Sequence, residues 1–423
     1  MLASSNGQSS EPEGRDASLL PPRGGLARFE HFTWGWFTLP MSTGGLALLL
    51  SPAVQPHTFP GLNAIGKVVY IIDLIFFTLT TVSITYRFLR YRGTFVASLT
   101  HPTESLFSAT ALLSIASIIA AISRYGIPTC GPWLIVAYRI LFWIYFTVTF
   151  FSAVSHYTLL FTSPALKIED MTPAWDLPIF PFMLSGTIAA SGAQYQPPDQ
   201  AVPMIVAGLT AQGLGFIISI LMYASYMRRM VQFGFPDPTS RPAMFIAVGP
   251  PAFTSLAILG MANAWPEAYH NFFGANIPFD NAILDDNQQQ LIAIQIMRVL
   301  AGMTAIFIWS LSLWFFCVAV CACILVARKM TFHLNWWAFV FPNVGLTIAT
   351  INIGKLLESQ GIQWVGSIMT ILLIATYFFV ASMHIKAVWT RQILWRGMDE
   401  DTYRMAGQSK KEQTDKGDVE KQD

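Results

Sequence analysis

Ten stretches of the chain are apolar over bilayer-spanning length and are separated by short polar connections. They fall at 32–54, 64–90, 104–123, 132–161, 177–195, 203–231, 242–263, 291–326, 333–357 and 362–390. A helix of about 20 residues crosses a hydrocarbon layer, so each stretch predicts one spanning helix. Lipid offers no partner to exposed backbone groups, which leaves helices or closed barrels as the spanning structures. Residues 1–30 are rich in Ser, Gly, Pro and charge, and 396–423 are polar and charged. Both predict disordered tails flanking a helical domain at 31–395. The fold class expected is therefore all-α integral membrane, with ten transmembrane helices.

The prolines alternate along these segments. Segment one holds Pro40, segment five Pro178 and Pro181, segment seven Pro250 and Pro251, and segment nine Pro342. The even segments have none in their interiors, and His101-Pro102 leads into segment three. A mid-helix proline removes a donor, kinks the helix and frees a carbonyl. In lipid that carbonyl needs a protein partner or a water-lined cavity. The alternation thus predicts five helical hairpins around a central pore, kinked odd helices inside and straight even helices outside. The strongest such pattern is segment nine, where Phe341, Pro342 and Asn343 stand at mid-length with Thr347 and Thr350 beyond. Small and hydroxyl residues accompany the other kinks: Ser42, Thr43, Gly44 and Gly45; Ser185, Gly186 and Thr187; Gly249, Thr254 and Ser255. Two readings stay open for them, a substrate pathway and plain helix packing.

Charge is scarce at 12% of residues, half the roughly 25% of a soluble domain. Of 25 Lys and Arg, Lys67, Arg124 and Lys355 fall on one side, and Arg139 and Arg298 lie inside segments. The rest gather with the two tails. That asymmetry predicts cytoplasmic termini. The longest connection on the other side, 264–290, has no Lys or Arg and carries Glu267, Asp280, Asp285 and Asp286. The first thirty residues lack a hydrophobic run, so no cleaved signal peptide is expected. The sequence holds no nucleotide loop, no metal-ligand cluster and no nucleophile beside a base. No enzyme activity, cofactor, metal or nucleic acid is expected, and four cysteines imply no disulfide framework.

An ionisable residue at membrane depth is costly and is a functional candidate. Asp73, Arg139 and Arg298 each lie about two turns into an even segment, which predicts one charged layer. Either an Arg pairs with Asp73 and the other attracts anions, or the cluster is structural. Lys355 stands toward the outer end of segment nine, and Arg87 near the inner end of segment two; both can snorkel. His156 is a possible proton relay or a satisfied packing residue. Trp314, Trp336, Trp337 and Trp364 fit interfacial anchoring.

Residues 31–47, HFTWGWFTLPMSTGGLA, resemble the first helix of the tellurite-resistance/dicarboxylate transporter family, which also contains the plant slow anion channels. His101-Pro102, Met171-Thr-Pro-Ala-Trp175, Phe245-Ile-Ala-Val-Gly-Pro-Pro251 and Trp336-Trp-Ala-Phe-Val-Phe-Pro342 resemble its other signatures. Met41-Ser-Thr-Gly-Gly45 and Arg229-Met-Val-Gln-Phe-Gly-Phe-Pro236 are most like its fungal malic acid transporters. The resemblance implies a pore in each subunit lined by the odd helices, assembly as homotrimers, and an aromatic gate at Phe341. It implies transport of malate or related C4-dicarboxylates across a plasma membrane. A sulfite or small-anion exporter and a gated anion channel are the alternatives. Neutral donors hold a dianion weakly, so transport is expected to favour the monoanion or to be proton-coupled. Segment three departs from the pattern, having no proline of its own.

Overall fold

A computed structural model describes residues 25–101, 103–162, 168–266 and 286–394. Pro102, Glu267, Asp280, Asp285 and nearly all of both expected tails lie outside the described residues. Ten principal helices follow one another: α1 Thr38–Leu49, α2 Leu62–Arg90, α3 Ala109–Ala121, α4 Trp133–Thr162, α5 Phe180–Gly192, α6 Pro198–Phe233, α7 Gly249–Asn263, α8 Asp286–Ile324, α9 Phe341–Leu356 and α10 Gln360–Trp389. No strand occurs among the described residues. Eight of the segments are long and apolar enough to cross a membrane. The exceptions are α1 and α5, with 12 and 13 residues of α-helix.

The odd helices close on themselves in chain order. α1 packs on α3, α3 on α5, α5 on α7, α7 on α9, and α9 returns to α1. Each even helix lies outside this ring, α2 against α1, α4 and α6 against α5, α8 against α7, and α10 against α9. Burial follows position: 89% of the apolar stretch is buried in the segments of α7 and α9, against 17% in α2 and 28% in α10. The exposed positions of α2, α4 and α10 are themselves large and apolar, such as Leu79, Phe151 and Ile371. A helix apolar on all sides is stable only with protein or lipid on every face.

The prolines mark breaks, but the breaks differ in kind from the expected kinks. Pro181, Pro250 and Pro342 are second residues of α5, α7 and α9, and Pro40 is the third of α1. The chain just ahead is wound as 3-10 helix at Trp34–Phe37, Pro173–Asp176, Arg241–Val248 and Leu334–Phe339. Four of the odd segments therefore change helix type instead of bending within one α-helix. Proline suits the first α-turn, where its missing N–H would have had no intrahelical partner. Segment three is interrupted at Ser108 between two α-helical pieces, Glu104–Phe107 and Ala109–Ala121, without a proline. Pro203, expected only at a boundary, lies inside α6.

The carbonyls left over at these junctions are met by side chains from neighbouring helices. Ser114 donates to Phe37 O at 3.0 Å, Tyr145 to Pro181 O at 2.9 Å, and Ser312 to Val248 O at 2.8 Å. Ser42 donates to Trp337 O at 3.4 Å, and Asn343 to Phe339 O at 2.9 Å. Protein donors thus satisfy backbone that lipid could not. Two smaller expectations change. Gly25–His31, within the expected tail, is a 3-10 helix whose Phe29 packs on Phe32 and Tyr86. Trp336 and Trp337 are core residues, Trp337 donating to His384 Nδ1 at 3.2 Å, whereas Trp314 and Trp364 are exposed as anchors would be.

Candidate permeation site

Three phenyl rings meet at the junctions inside the ring of odd helices. Phe341 opens α9, Phe180 opens α5, and Phe253 lies in the second turn of α7. Phe253 stacks on Phe341 with centroids 5.1 Å apart, and Phe180 stands edge-on to both at 5.7 and 6.2 Å. All three are buried. Offset and edge-to-face contacts at these separations are mutually attractive. Each ring also rests against a glycine of another inner helix: Phe341 on Gly45 of α1, Phe180 on Gly249 of α7, and Phe253 on Gly345 of α9. A Cβ at Gly249 would stand 2.7 Å from Phe180, and one at Gly345 2.8 Å from Phe253. The missing side chains let the rings approach the ring's axis. A narrow apolar constriction of this sort blocks ions sterically and by excluding water.

The expected pathway residues divide into two groups. Ser42, Thr43 and Thr347 are committed to protein partners: Ser42 to Trp337 O, Thr43 to Leu39 O and Tyr377 at 2.9 Å, and Thr347 to Asn343 O at 2.7 Å. Lys355 is exposed at the end of α9, where its Nζ donates to Ala53 O at 3.0 Å. Gly44 packs against Ser117 of α3 and Asp73 of α2. The second group keeps unsatisfied atoms. The buried hydroxyls of Ser185 and Thr187 on α5 have no protein partner, and neither does Asn343 Oδ1. Thr254 accepts a hydrogen bond from Gln212 Nε2 at 2.8 Å, leaving Gln212 Oε1 unpartnered. Buried polar atoms are ordinarily satisfied by protein or water, so these atoms keep hydrogen-bonding capacity that water or another polar species could take up.

The three intramembrane charges do not form one cluster. α2 lies against α1 and α3, α4 against α5 and α3, and α8 against α7 and α9. Equal depth therefore leaves Asp73, Arg139 and Arg298 on different sides of the ring, and Asp73 forms an ion pair with neither arginine. Arg139 and Arg298 are half-buried on their outer helices. An ion pair joins Arg87 to Glu104, with Arg87 also donating to Phe32 O at 2.8 Å. His156 is satisfied, Nε2 meeting Ser108 Oγ at 2.6 Å and Nδ1 meeting Ser152 O at 2.8 Å. No group of His, Cys, Asp or Glu among the described residues could hold a metal ion.

Residues 31–385 match the SLAC1 family model, described as voltage-dependent anion channel. The chain belongs to this family. The malic acid transport protein of Schizosaccharomyces pombe is 35% identical over 380 residues, 89% of this chain and 83% of that protein. A putative malic acid transport protein of the same organism is 35% identical over 390 residues, 91% of this chain and 86% of its own. The sulfite efflux pump SSU1 of Arthroderma otae is 25% identical over 370 residues, 86% of this chain and 92% of that protein. Members of the SLAC1 family are transporters and channels for anions, and this chain is a multi-pass membrane protein of that class.

Sequence reasoning found Phe341 and missed its two partners. Phe180 carries the same signal, a phenylalanine directly before a junction proline, as Phe180-Pro181 repeats Phe341-Pro342. Phe253 has no such flag. Gln212, on the even helix α6, carries no sequence flag either; Gly186 lets it approach α5, since a Cβ there would stand 2.4 Å from Gln212 Oε1.

Proposed function

We propose that this protein carries malate and related C4-dicarboxylates through a pore in each subunit, enclosed by α1, α3, α5, α7 and α9. The observation that carries this reading is 35% identity to a malic acid transport protein over 380 residues, 89% of the chain. In this reading all ten segments span the membrane as five hairpins. Trp34–Leu49 supports that count: four 3-10 residues at about 2.0 Å and twelve α residues at about 1.5 Å give roughly 26 Å, near the bilayer core. The rings of Phe180, Phe253 and Phe341 form the gate. Ser185, Thr187, Thr254 and Asn343 hold the anion by neutral donors, weakly enough for it to leave. The protein sits in the plasma membrane as a trimer with both termini in the cytoplasm, and anion movement is coupled to protons.

Radiolabelled malate, succinate and sulfite uptake into proteoliposomes, with and without a pH gradient, tests the reading. Malate uptake should exceed sulfite uptake and should fall as external pH rises towards neutrality. Sulfite preferred over malate would assign the chain to the exporter class of its 25% identical relative. Large unitary currents without saturation would make it a channel.

A further inference from the structure

Asp73 is the intramembrane charge for which the ring offers no counter-charge. Its side chain is fully buried on α2, and neither carboxyl oxygen reaches a hydrogen bond of ordinary geometry. Oδ2 rests on the bare backbone of Gly44, where a Cβ would stand 2.7 Å away. No Lys, Arg or His among the described residues lies within ion-pair distance. The titratable groups near it are phenols, Tyr70 on its own helix and Tyr377 from α10. Ser117 from α3 adds a hydroxyl at Gly44, and that hydroxyl donates to Ser114 O at 2.8 Å. An isolated carboxylate sealed in such a place is strongly disfavoured, and the neutral acid avoids that penalty.

The position matters as much as the burial. Gly44 supports Asp73, the next residue Gly45 supports the Phe341 ring, and the preceding Thr43 bonds Tyr377 at 2.9 Å. One turn of α1 therefore touches the carboxyl on its outer side and the phenyl constriction on its inner side. A shift of α1 that releases Phe341 also uncovers Asp73, and an uncovered carboxyl can ionise. Two events that share one moving element are linked reciprocally.

We propose that Asp73 is the protein's proton-binding site, protonated when the phenyl constriction is closed and free to release its proton when α1 moves to open it. This rests on the transport reading above and names the residue behind its proton coupling. The carboxylate takes a proton from the more acidic side while the pore faces that side. The neutral acid allows closure, and the O–H proton leaves to water on the other side. No other bond is made or broken.

The test uses the full chain in proteoliposomes with a pH dye inside, the membrane potential clamped and an inward malate gradient. Wild-type protein should acidify the lumen as malate enters. Asp73→Asn keeps the shape and cannot titrate: malate should still enter, without the dependence on external pH, and the acidification should be lost. A proton carried by malate itself would still appear with the Asn variant, so unchanged acidification per malate overturns the proposal. No malate entry with wild-type protein, but entry of another anion, would instead overturn the substrate assignment. Infrared spectra of the wild-type protein give a readout independent of folding of the variant. They should contain the high-frequency stretch of a carboxyl free of hydrogen bonds at neutral pH. Its absence also overturns the proposal. Asp176, the other buried aspartate, accepts from Ser219 at 2.9 Å and Tyr223 at 3.0 Å and absorbs lower.

Discussion

At the scale of residues, the question is whether three packed phenyl rings are a gate or only a core. A core phenylalanine truncated to alanine leaves a cavity and costs about 3–5 kcal/mol, so packing alone predicts that folded yield and flux fall together. The rings of Phe180, Phe253 and Phe341 lie over glycines inside a closed ring of helices, and under the proposed gate their loss would widen a passage. Phe341→Ala should raise anion leak and reduce discrimination among malate, succinate and sulfite in protein of normal surface expression. Phe180→Ala should act in the same direction, because its ring shares the constriction. Conductance unchanged in well-folded protein of both variants would move the gate elsewhere. This part of the site was half legible. Phenylalanine before proline is visible in one dimension, but that Phe253 completes the cluster depends on α7 packing between α5 and α9.

At the scale of elements, prolines mark four of the five helices that pack into the ring, while the form of the break was not legible. Proline excludes itself from an α-helix interior without saying what replaces the helix. Here the answer is a 3-10 stretch, and in three of these stretches a carbonyl is taken by Ser114, Ser312 or Ser42 from another helix, while Tyr145 donates to Pro181 in the first turn of α5. Those donors are scattered through the chain, and no local pattern links them to their acceptors. Segment three is interrupted at Ser108, between two α-helical pieces, with no proline at all. Tyr145 probes one of these contacts, its hydroxyl lying 2.9 Å from Pro181 O and 3.2 Å from Leu112 O. Tyr145→Phe removes this buried hydrogen-bond donor, a loss of about 0.5–1.5 kcal/mol. Its thermal unfolding midpoint in detergent should drop, with the ranking of transported anions unchanged. A changed ranking would mean that the junction carbonyls themselves face the anion.

At the scale of the molecule, the outer helices separate what depth alone suggested belonged together. Arg139 on α4 and Arg298 on α8 stand on different sides of the ring, so their effects should be independent. Separated sites add within about 0.5 kcal/mol. Arg139→Gln and Arg298→Gln should each lower folded yield through local packing, and the double variant should show the sum, with flux per folded molecule retained. A loss of flux at normal expression would restore an electrostatic role for either residue.

Orientation is the remaining property of the whole molecule, and one thiol reads it. Lys355 at the end of α9 reaches the carbonyl of Ala53 just beyond α1, so the ends of these two odd helices lie on the same side of the ring. The odd helices enter in parallel, which places the connection between α3 and α4 on that side too. It is the side poor in Lys and Arg, which is the external side in the orientation proposed above. Cys130 lies in that connection and is exposed, whereas Cys317 and Cys321 point outward from the apolar helix α8 and Cys323 is buried. A maleimide reacts with the thiolate, which forms in water and not in lipid. A membrane-impermeant maleimide should therefore label intact cells at Cys130, and Cys130→Ser should abolish the label. Labelling that appears only after permeabilisation would invert the molecule, placing both termini outside and reversing the direction in which Asp73 meets its protons.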